Sequence, residues 1–438
     1  MEKLSKEEFL NVFSDGFYKK IMNESFLSFR NITDRDTAKE LMYNAYIRLI
    51  NLDYYVSNPV EYIYLLKNEF VARIIPVFTL EDEAVYFYLC KRIEADIAEN
   101  RVSGTFGGWR LGNALKEQED DEIQYVFNSY NPWMWTKYWK EFQHYIYSYI
   151  EKYDYKYALK LDIANFYDSI NIDILSRKLY KLCAKNKYEI IELIVYILKY
   201  WNRKFNNYGE NNIGIPQNEF GDQSRLLANF YLNEYDVAMD NICKSNNAMY
   251  FRYADDQVIL FNNEEEIYKI MYVANEELRK LSLNINAEKT KKFTKEQLIN
   301  HYVMVPLEYL EKEEYDKAVD SFFEIVSKCD SIRDVRSDTF FRRCLSIGLS
   351  KFSSQNRERI LRNILTKKFI INSNVDYLNK IYCNLDDGEK CKFINDIKKY
   401  FDLIQFNGFH YTVINFFKKV KLVNEYNYCL NEICNKNS

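Results

Sequence analysis

The sequence contains few glycines, prolines, histidines and cysteines. Its 438 residues include 11 glycines, 5 prolines, 3 histidines and 9 cysteines, and no two cysteines are spaced as Cys-x-x-Cys. A structural zinc site needs cysteine and histidine ligands at close spacing, and this pattern does not provide them. We therefore interpret the cysteines as buried free thiols, which suits a reducing cytoplasm.

Long apolar runs and an excess of basic charge are also missing. No stretch of about 18 apolar residues occurs, and the charged start MEKLSKEEFL lacks the apolar core of a signal peptide. We expect a soluble cytoplasmic protein with no membrane partner. Lys+Arg number 60 against 64 Asp+Glu, so binding to nucleic acid would require a local basic groove.

Hydrophobic residues are abundant, at 47% with 17% aromatic, which predicts a globular and largely helical chain. Residues 1 to about 70, with Phe9, Leu10, Phe13, Phe17 and Ile21 at helical spacing, and those after about 300 read as helices. Between them we expect a β-rich run over 69–78, a helix that begins after Thr79, helices over 133–155 and 221–243, a strand from 157, and a hairpin over 248–262.

The most informative motif is YADD at 253–256, flanked by the apolar runs AMYFR and QVILF. Two adjacent carboxylates at a hairpin tip repel each other unless a cation lies between them. A solvated turn is the alternative reading of an isolated Asp-Asp pair. Oxygen ligands select Mg²⁺ or Mn²⁺, which usually takes only one or two protein carboxylates, so a third acid is expected nearby.

Asp162 is the candidate third acid. It ends the apolar strand of LDIANFYDSI, 93 residues before Asp255. Acids at the ends of neighbouring strands can share two metal ions about 4 Å apart, which activate an attacking hydroxyl and stabilise charge on a phosphate. The pattern therefore indicates nucleotidyl transfer without a protein nucleophile.

These blocks resemble the reverse transcriptase family. LDIANFYDSI, GIPQNEFGDQSRLLANFYL, YFRYADDQVIL and LSLNINAEKTKKF occur in the order of the family's palm blocks. The resemblance implies an α+β fold of right-hand polymerase fingers and palm, with an antiparallel sheet and helices, followed by an all-α C-terminal domain. The implied boundaries are 1–130 for N-terminal helices and fingers, 131–300 for the palm with interleaved fingers elements, and 301–438 for the helical domain.

The resemblance also implies roles for individual residues. Asp162 and Asp255, together with Ile163, would hold two Mg²⁺ or Mn²⁺ ions, and Asp256 would accompany them. Phe166 and Tyr167 would lie beneath the sugar of the nucleotide, and the Tyr167 ring would exclude a 2′-hydroxyl. The remaining candidates are Gln217 beside the nucleotide and template pair, Lys289 at the leaving phosphates, Arg73 at the triphosphate, and Arg110 at nucleic acid.

One residue departs from the family pattern. Asn218 stands where most members have glycine, and Glu219 follows it, so handling of the template is expected to differ. Three hypotheses therefore stay open: templated DNA synthesis from dNTPs, template-independent or protein-primed terminal transfer, and a retired palm that serves as an RNA-binding or assembly module.

The segment after the palm favours one group of relatives. No Val-Thr-Gly block of the retron type is present, and the aromatic-rich helices after residue 300 resemble the extensions of bacterial abortive-infection and other defence-associated reverse transcriptases. That resemblance implies a role in antiphage defence. It also implies a nucleic-acid template and primer, a non-coding RNA among the candidate partners, and assembly as a homo-oligomer or with a partner protein.

Overall fold

The computed structural model describes residues 4–18, 34–51, 56–111, 115–117, 123–125, 134–202, 211–218, 221–329 and 335–437. The chain divides into two compact units. The first comprises Met1–Tyr62 and Pro76–Lys295, and the second comprises Ile63–Ile75 and Glu296–Ser438. All three candidate acids lie in the first unit.

The strands form one five-stranded sheet and two small pairs. Their bounds are β1 Glu61–Leu66, β2 Ala72–Val77, β3 Thr105–Phe106, β4 Leu115–Glu117, β5 Ile123–Tyr125, β6 Tyr157–Leu161, β7 Met249–Tyr253, β8 Asp256–Phe261 and β9 Lys291–Thr294. The main sheet has the order β3-β7-β8-β6-β9, and β1 pairs with β2 and β4 with β5. Every neighbouring pair in the main sheet is antiparallel except β3 with β7. The central strand β8 is buried along QVILF, as a continuous apolar run predicts.

Helices of the first unit surround this sheet. Their bounds are α1 Lys6–Leu10, α2 Arg35–Ile50, α3 Leu80–Ala98, α4 Met134–Tyr153, α5 Phe166–Ser169, α6 Ile172–Leu182, α7 Tyr188–Tyr200, α8 Asp222–Tyr231, α9 Asn233–Ser245 and α10 Glu264–Lys280. The most buried long helix is α3, and its start follows from the sequence. The Thr79 side chain accepts a hydrogen bond from the Asp82 backbone N–H, and acidic residues fill the first turn.

The second unit is a helical assembly with its own apolar core. Its helices are α11 Lys295–His301, α12 Met304–Glu311, α13 Tyr315–Lys328, α14 Ser337–Ile347, α15 Ser354–Ile364, α16 Lys367–Ile371, α17 Val375–Tyr382, α18 Asp387–Leu403, α19 Asn407–Lys419 and α20 Val423–Asn437. Phe322 and Phe340 stack at its centre with ring centroids 4.2 Å apart. The predicted α+β class, with a helical C-terminal segment after the sheet, is confirmed.

Most predicted elements are present, with two corrections. The segment 61–66 is a strand rather than a helix, because it pairs with β2. The helix expected over 221–243 is interrupted at Leu232, between α8 and α9. Phe9, Phe13 and Phe17 are buried as expected, whereas Ile21 lies outside the described residues.

The cysteines are all free thiols, but not all of them are buried. Cys383, Cys391 and Cys434 are exposed in the second unit, so the prediction of burial is wrong for them. Helical spacing alone did not distinguish their faces from the buried ones. In the described ranges, no helix combines the length and the hydrophobicity needed to cross a bilayer.

Candidate active site

A tight hairpin presents two acidic residues at its tip. β7 and β8 pair as far as Tyr253 and Asp256, so only Ala254 and Asp255 form the turn. Ala254 has a φ of +53°, in the left-handed region that two-residue hairpin turns use. Because both strands of the hairpin are held in the sheet, the backbone fixes the Cα positions of Asp255 and Asp256.

The third acid arrives on the neighbouring strand. β6 is antiparallel to β8, and the last pair in their register is Leu161 with Gln257. One step further in the same register, Asp162 and Asp256 come level with each other. The backbone N–H of Asn286 donates to the Asp162 carbonyl at 2.8 Å, which holds the chain where it leaves the strand. The structure thus brings Asp162, Asp255 and Asp256 together.

The Asp255 carboxylate is perturbed by its burial and by the two acids beside it. Burial, followed by the charges of Asp256 and Asp162, raises the pKa of Asp255 to about 6, while Lys289 acts in the opposite direction. An isolated aspartate titrates near 4. The shift is what like charges produce at a half-buried site that lacks enough positive charge.

Two lysines supply part of that charge. The Lys289 ammonium lies 3.0 Å from Asp162 Oδ2, and Lys160 Nζ lies 3.2 Å from Asp256 Oδ1. Asn286 Nδ2 also donates to Asp162 Oδ2 at 3.2 Å. Sequence reasoning found Lys289 but missed Lys160. The signal for Lys160 was its position two residues before Asp162, because alternate residues of a strand share a face.

The donor set is suited to a divalent cation. Carboxylate oxygens are the ligands that Mg²⁺ and Mn²⁺ prefer. Among the residues that the structure describes, no three His, Cys, Asp or Glu side chains converge as a metal site, and Asp162 and Asp256 each face a lysine instead. The three carboxylates have the right chemistry for a divalent cation. Their side chains, as they stand, are not arranged around a common cation position.

The segment after β6 contains two aromatic residues with different surroundings. Phe166 is buried at the start of α5, and its ring meets the Tyr167 ring edge-on at 5.4 Å. Tyr167 is half-buried. Burial raises the pKa of its hydroxyl, and the nearby Asp255 carboxylate adds to the effect. Tyr167 therefore lies next to the acids, whereas the Phe166 ring is enclosed in the core.

The GIPQN segment packs against the same region. Gly214 has a φ of +92°, and Ile215 N–H donates to the Tyr167 carbonyl at 3.0 Å. Gln217 is half-buried and Asn218 is buried. The Asn218 side chain donates to the buried Glu83 carboxylate on α3 at 2.6 Å, a contact that no local sequence signal indicated.

The other predicted residues are less informative. Ile163 is buried and forms an isolated antiparallel β-bridge with Ile285. Arg110 is half-buried after the fully buried Trp109. Arg73 is exposed on β2 and belongs to the second unit. Glu219 lies outside the described residues. The assigned roles of Ile163, Arg73 and Arg110 remain predictions.

Comparison with known proteins matches the part of the chain that contains these residues to one family. Residues 109–316 match the family model described as reverse transcriptase (RNA-dependent DNA polymerase). This segment belongs to the reverse transcriptase family. It contains β6, β7 and β8 and all three acids.

Two kinds of relative accompany that match. The retron Ec83 reverse transcriptase of Escherichia coli is 30% identical over 114 residues, which cover 25% of this chain and 33% of the retron enzyme. A truncated apo telomerase of Candida tropicalis has 13% identity and a TM-score of 0.35, with 58% of this chain and 55% of that chain covered. A Candida albicans telomerase in complex with a fragment of telomeric RNA has 12% identity and a TM-score of 0.36, over 89% and 70%. TM-scores this low support no conclusion about the present chain.

Proposed function

We propose that this chain is an RNA-directed DNA polymerase that adds dNTPs to a primer by a two-metal mechanism. The observation that carries the proposal is the meeting of Asp162, Asp255 and Asp256 at adjacent strand ends, inside the segment that matches the reverse transcriptase family. No serine, cysteine or other nucleophile is required, because positioned phosphoryl groups and cations provide most of the rate enhancement in this chemistry.

The acids and one lysine divide the work. Asp162 and Asp255, with the backbone of Ile163, would hold the cations, and Asp256 would add negative charge beside them. When bound, the cations lower the pKa of the primer 3′-hydroxyl and stabilise charge on the reacting phosphate. Lys289, whose ammonium pairs with Asp162, would face the leaving phosphates and hold a proton for them.

The residues around the acids suit a deoxynucleotide. The half-buried Tyr167 ring stands beside Asp255, where a 2′-hydroxyl on the incoming sugar would meet it. Gln217 follows the turn whose backbone is bonded to Tyr167, so it would lie along the nucleotide and its template base. Asn218 is buried and donates to Glu83, so its side chain would support the pocket rather than contact the template directly.

We further propose a role in bacterial antiphage defence. The retron relative and the helical segment after residue 300 support it. A nucleic-acid template and primer, with a non-coding RNA among the candidates, would be the partners, and assembly as a homo-oligomer or with another protein is proposed with them.

The experiment is nucleotide incorporation by the purified chain with Mg²⁺ or Mn²⁺ and each labelled dNTP or rNTP, followed by sequencing of the product. Asp255→Asn is expected to abolish incorporation. The control is Glu276→Gln, which removes an ion pair to Arg279 on α10 and should leave incorporation intact. A heterogeneous copy of co-purified RNA supports templated synthesis, and a homopolymer or simple repeat supports terminal transfer instead.

No incorporation by the wild-type chain under any of these conditions would contradict the polymerase. The defence role is tested separately, by plating a panel of phages on bacteria that express the wild-type chain or Asp255→Asn. Protection that is lost in the variant is expected. Equal protection by both would favour the retired-palm hypothesis, in which the chain acts by binding.

A further inference from the structure

Behind the acidic turn lies an ion pair that solvent does not reach. Arg252, on β7, and Asp236, on α9, both have side chains that are 0% exposed. Arg252 Nε lies 2.7 Å from Asp236 Oδ1, and Arg252 Nη2 pairs with the other carboxylate oxygen, so the contact is a two-pronged fork. Burying two charges is costly even when they pair, and apolar residues of similar volume often serve stability equally well.

The guanidinium has a second set of contacts, directed at the turn itself. Arg252 Nη1 donates to the carbonyl of Ala254 at 2.9 Å and to Asn229 Oδ1 on α8 at 2.8 Å. Ala254 precedes Asp255 and holds a left-handed conformation that residues with a Cβ adopt reluctantly. The donated hydrogen bond therefore acts on the peptide unit that joins Ala254 to Asp255.

Further buried hydrogen bonds fix the partners of Arg252. Asn229 Nδ2 donates to the Gly107 carbonyl at 2.7 Å, which ties α8 to the loop after β3. The Tyr250 hydroxyl donates to Asp236 Oδ1 at 2.9 Å. These hydrogen bonds connect the turn to α8, to α9 and to the loop after β3, all within the first unit. A rigid support of this kind is what holds a functional side chain in its working geometry.

We propose that Arg252 is a positioning residue, which fixes the Ala254–Asp255 peptide so that the Asp255 carboxylate points at the cation and the primer end. This inference rests on the proposed polymerase function. Arg252 acts through the Ala254 carbonyl and touches neither the nucleotide nor the cation. The alternative is that the ion pair serves only the stability of the core.

The test separates positioning from stability with a paired substitution. Arg252→Met leaves Asp236 buried and unpaired, so the melting temperature should fall. Arg252→Met/Asp236→Leu removes both charges, and its melting temperature should return close to that of the wild type. Because the turn still lacks its anchor, we expect at least a tenfold lower kcat with little change in the KM for dNTP. Mn²⁺ affinity, measured by electron paramagnetic resonance without nucleotide, should also fall about tenfold.

Two further variants complete the design. Arg252→Lys keeps a charge for Asp236 but has no fork to reach the Ala254 carbonyl as well. It should fold and show the same losses of kcat and Mn²⁺ affinity, so the proposal is tested even if the paired variant fails to fold. The control is Lys91→Met, which breaks another largely buried pair, Lys91 with Glu94 at 2.6 Å on α3. It should lower the melting temperature without changing Mn²⁺ affinity.

Wild-type kcat and Mn²⁺ affinity in the paired variant, or in Arg252→Lys, would overturn the proposal. An equal loss of Mn²⁺ affinity in Lys91→Met would overturn it too, because general destabilisation would then explain the effect. Mn²⁺ binding requires no turnover, so it tests Arg252 even if the wild-type chain incorporates no nucleotide. Failure of the inference is therefore distinguishable from failure of the proposed function.

Discussion

Replacing Asp255 should make the metal-free protein more stable. The pKa of Asp255 is about 6, raised first by burial and then by Asp256 and Asp162. The unfolded chain would titrate this group near 4, and each unit of pKa difference corresponds to about 1.4 kcal/mol. The full difference is about 3 kcal/mol, and water at this half-buried side chain reduces it, so we expect about 1–3 kcal/mol.

The sign follows from proton linkage. The folded protein binds the Asp255 proton more tightly than the unfolded chain does, so between about pH 4 and pH 6 this group makes the protein less stable as the pH rises. Above pH 6 the whole cost is present. Asp255→Asn has no ionisable group there, so the variant should exceed the wild type in stability at pH 7.5 and match it near pH 4.

The measurement is thermal unfolding in EDTA at several pH values. Melting temperatures shift by about 2–4 °C per kcal/mol in domains of 150–250 residues, so the difference is measurable. Saturating Mn²⁺ should reduce it, since a cation stabilises the charged wild-type site. Glu276→Gln is the control and should show no pH-dependent gain. An Asp255→Asn variant that is less stable than the wild type at pH 7.5 in EDTA would refute the reasoning.

Three further outcomes follow from other contacts. Lys160→Met removes an ammonium that competes with cations for the Asp256 carboxylate. Mn²⁺ should therefore bind the nucleotide-free protein roughly fivefold more tightly, a gain of about 1 kcal/mol, as measured by electron paramagnetic resonance. Unchanged affinity would contradict this prediction. Tyr167→Ala should lower the preference for dNTP over rNTP at least tenfold in steady-state kinetics, and an unchanged preference would contradict the role proposed for Tyr167. Slight desolvation of the carboxylate raises the pKa of Asp316, but the hydrogen bonds from Asn356 and Ser353 together outweigh it and bring the pKa below its ordinary value. Because Asp316 is exposed, solvent screens these contacts, so Asp316→Asn should cost at most about 0.5–1 kcal/mol at pH 7. In denaturant titrations the cost should shrink as the pH falls below the ordinary aspartate pKa of about 4, and a cost that does not change with pH would be the contrary result.

The acids could be predicted because their signals are local. An Asp-Asp pair between two apolar runs identifies a hairpin tip, and an apolar strand that ends in aspartate identifies a neighbour. The strand over 61–66 was missed for the opposite reason: YIYLL is a short apolar run, which periodicity alone cannot assign to helix or strand. Its pairing with β2 decides the outcome, and pairing is not a local property.

The supporting contacts were beyond sequence reasoning because they join distant residues. Asn218 and Glu83 are 135 positions apart, and their hydrogen bond depends on how α3 packs beneath the GIPQN turn. Arg252 and Asp236 are only 16 positions apart, but they lie on a strand and a helix whose mutual orientation the sequence does not state. The domain boundaries at 130 and 300, and the roles assigned to Arg73 and Arg110, stay predictions for the same reason.

The charges of the site predict the order in which cations and nucleotide bind. Lys160 and Lys289 offset two of the three carboxylates, and the Arg252–Asp236 pair is neutral within itself. The uncompensated charge is therefore small in the free protein, and under the proposed function it would grow by several negative charges when a nucleoside triphosphate binds. Mg²⁺ generally binds through one or two carboxylates together with substrate phosphates. At least one cation should therefore enter with the nucleotide and displace the lysines from the acids, so that the nucleotide itself completes the metal site.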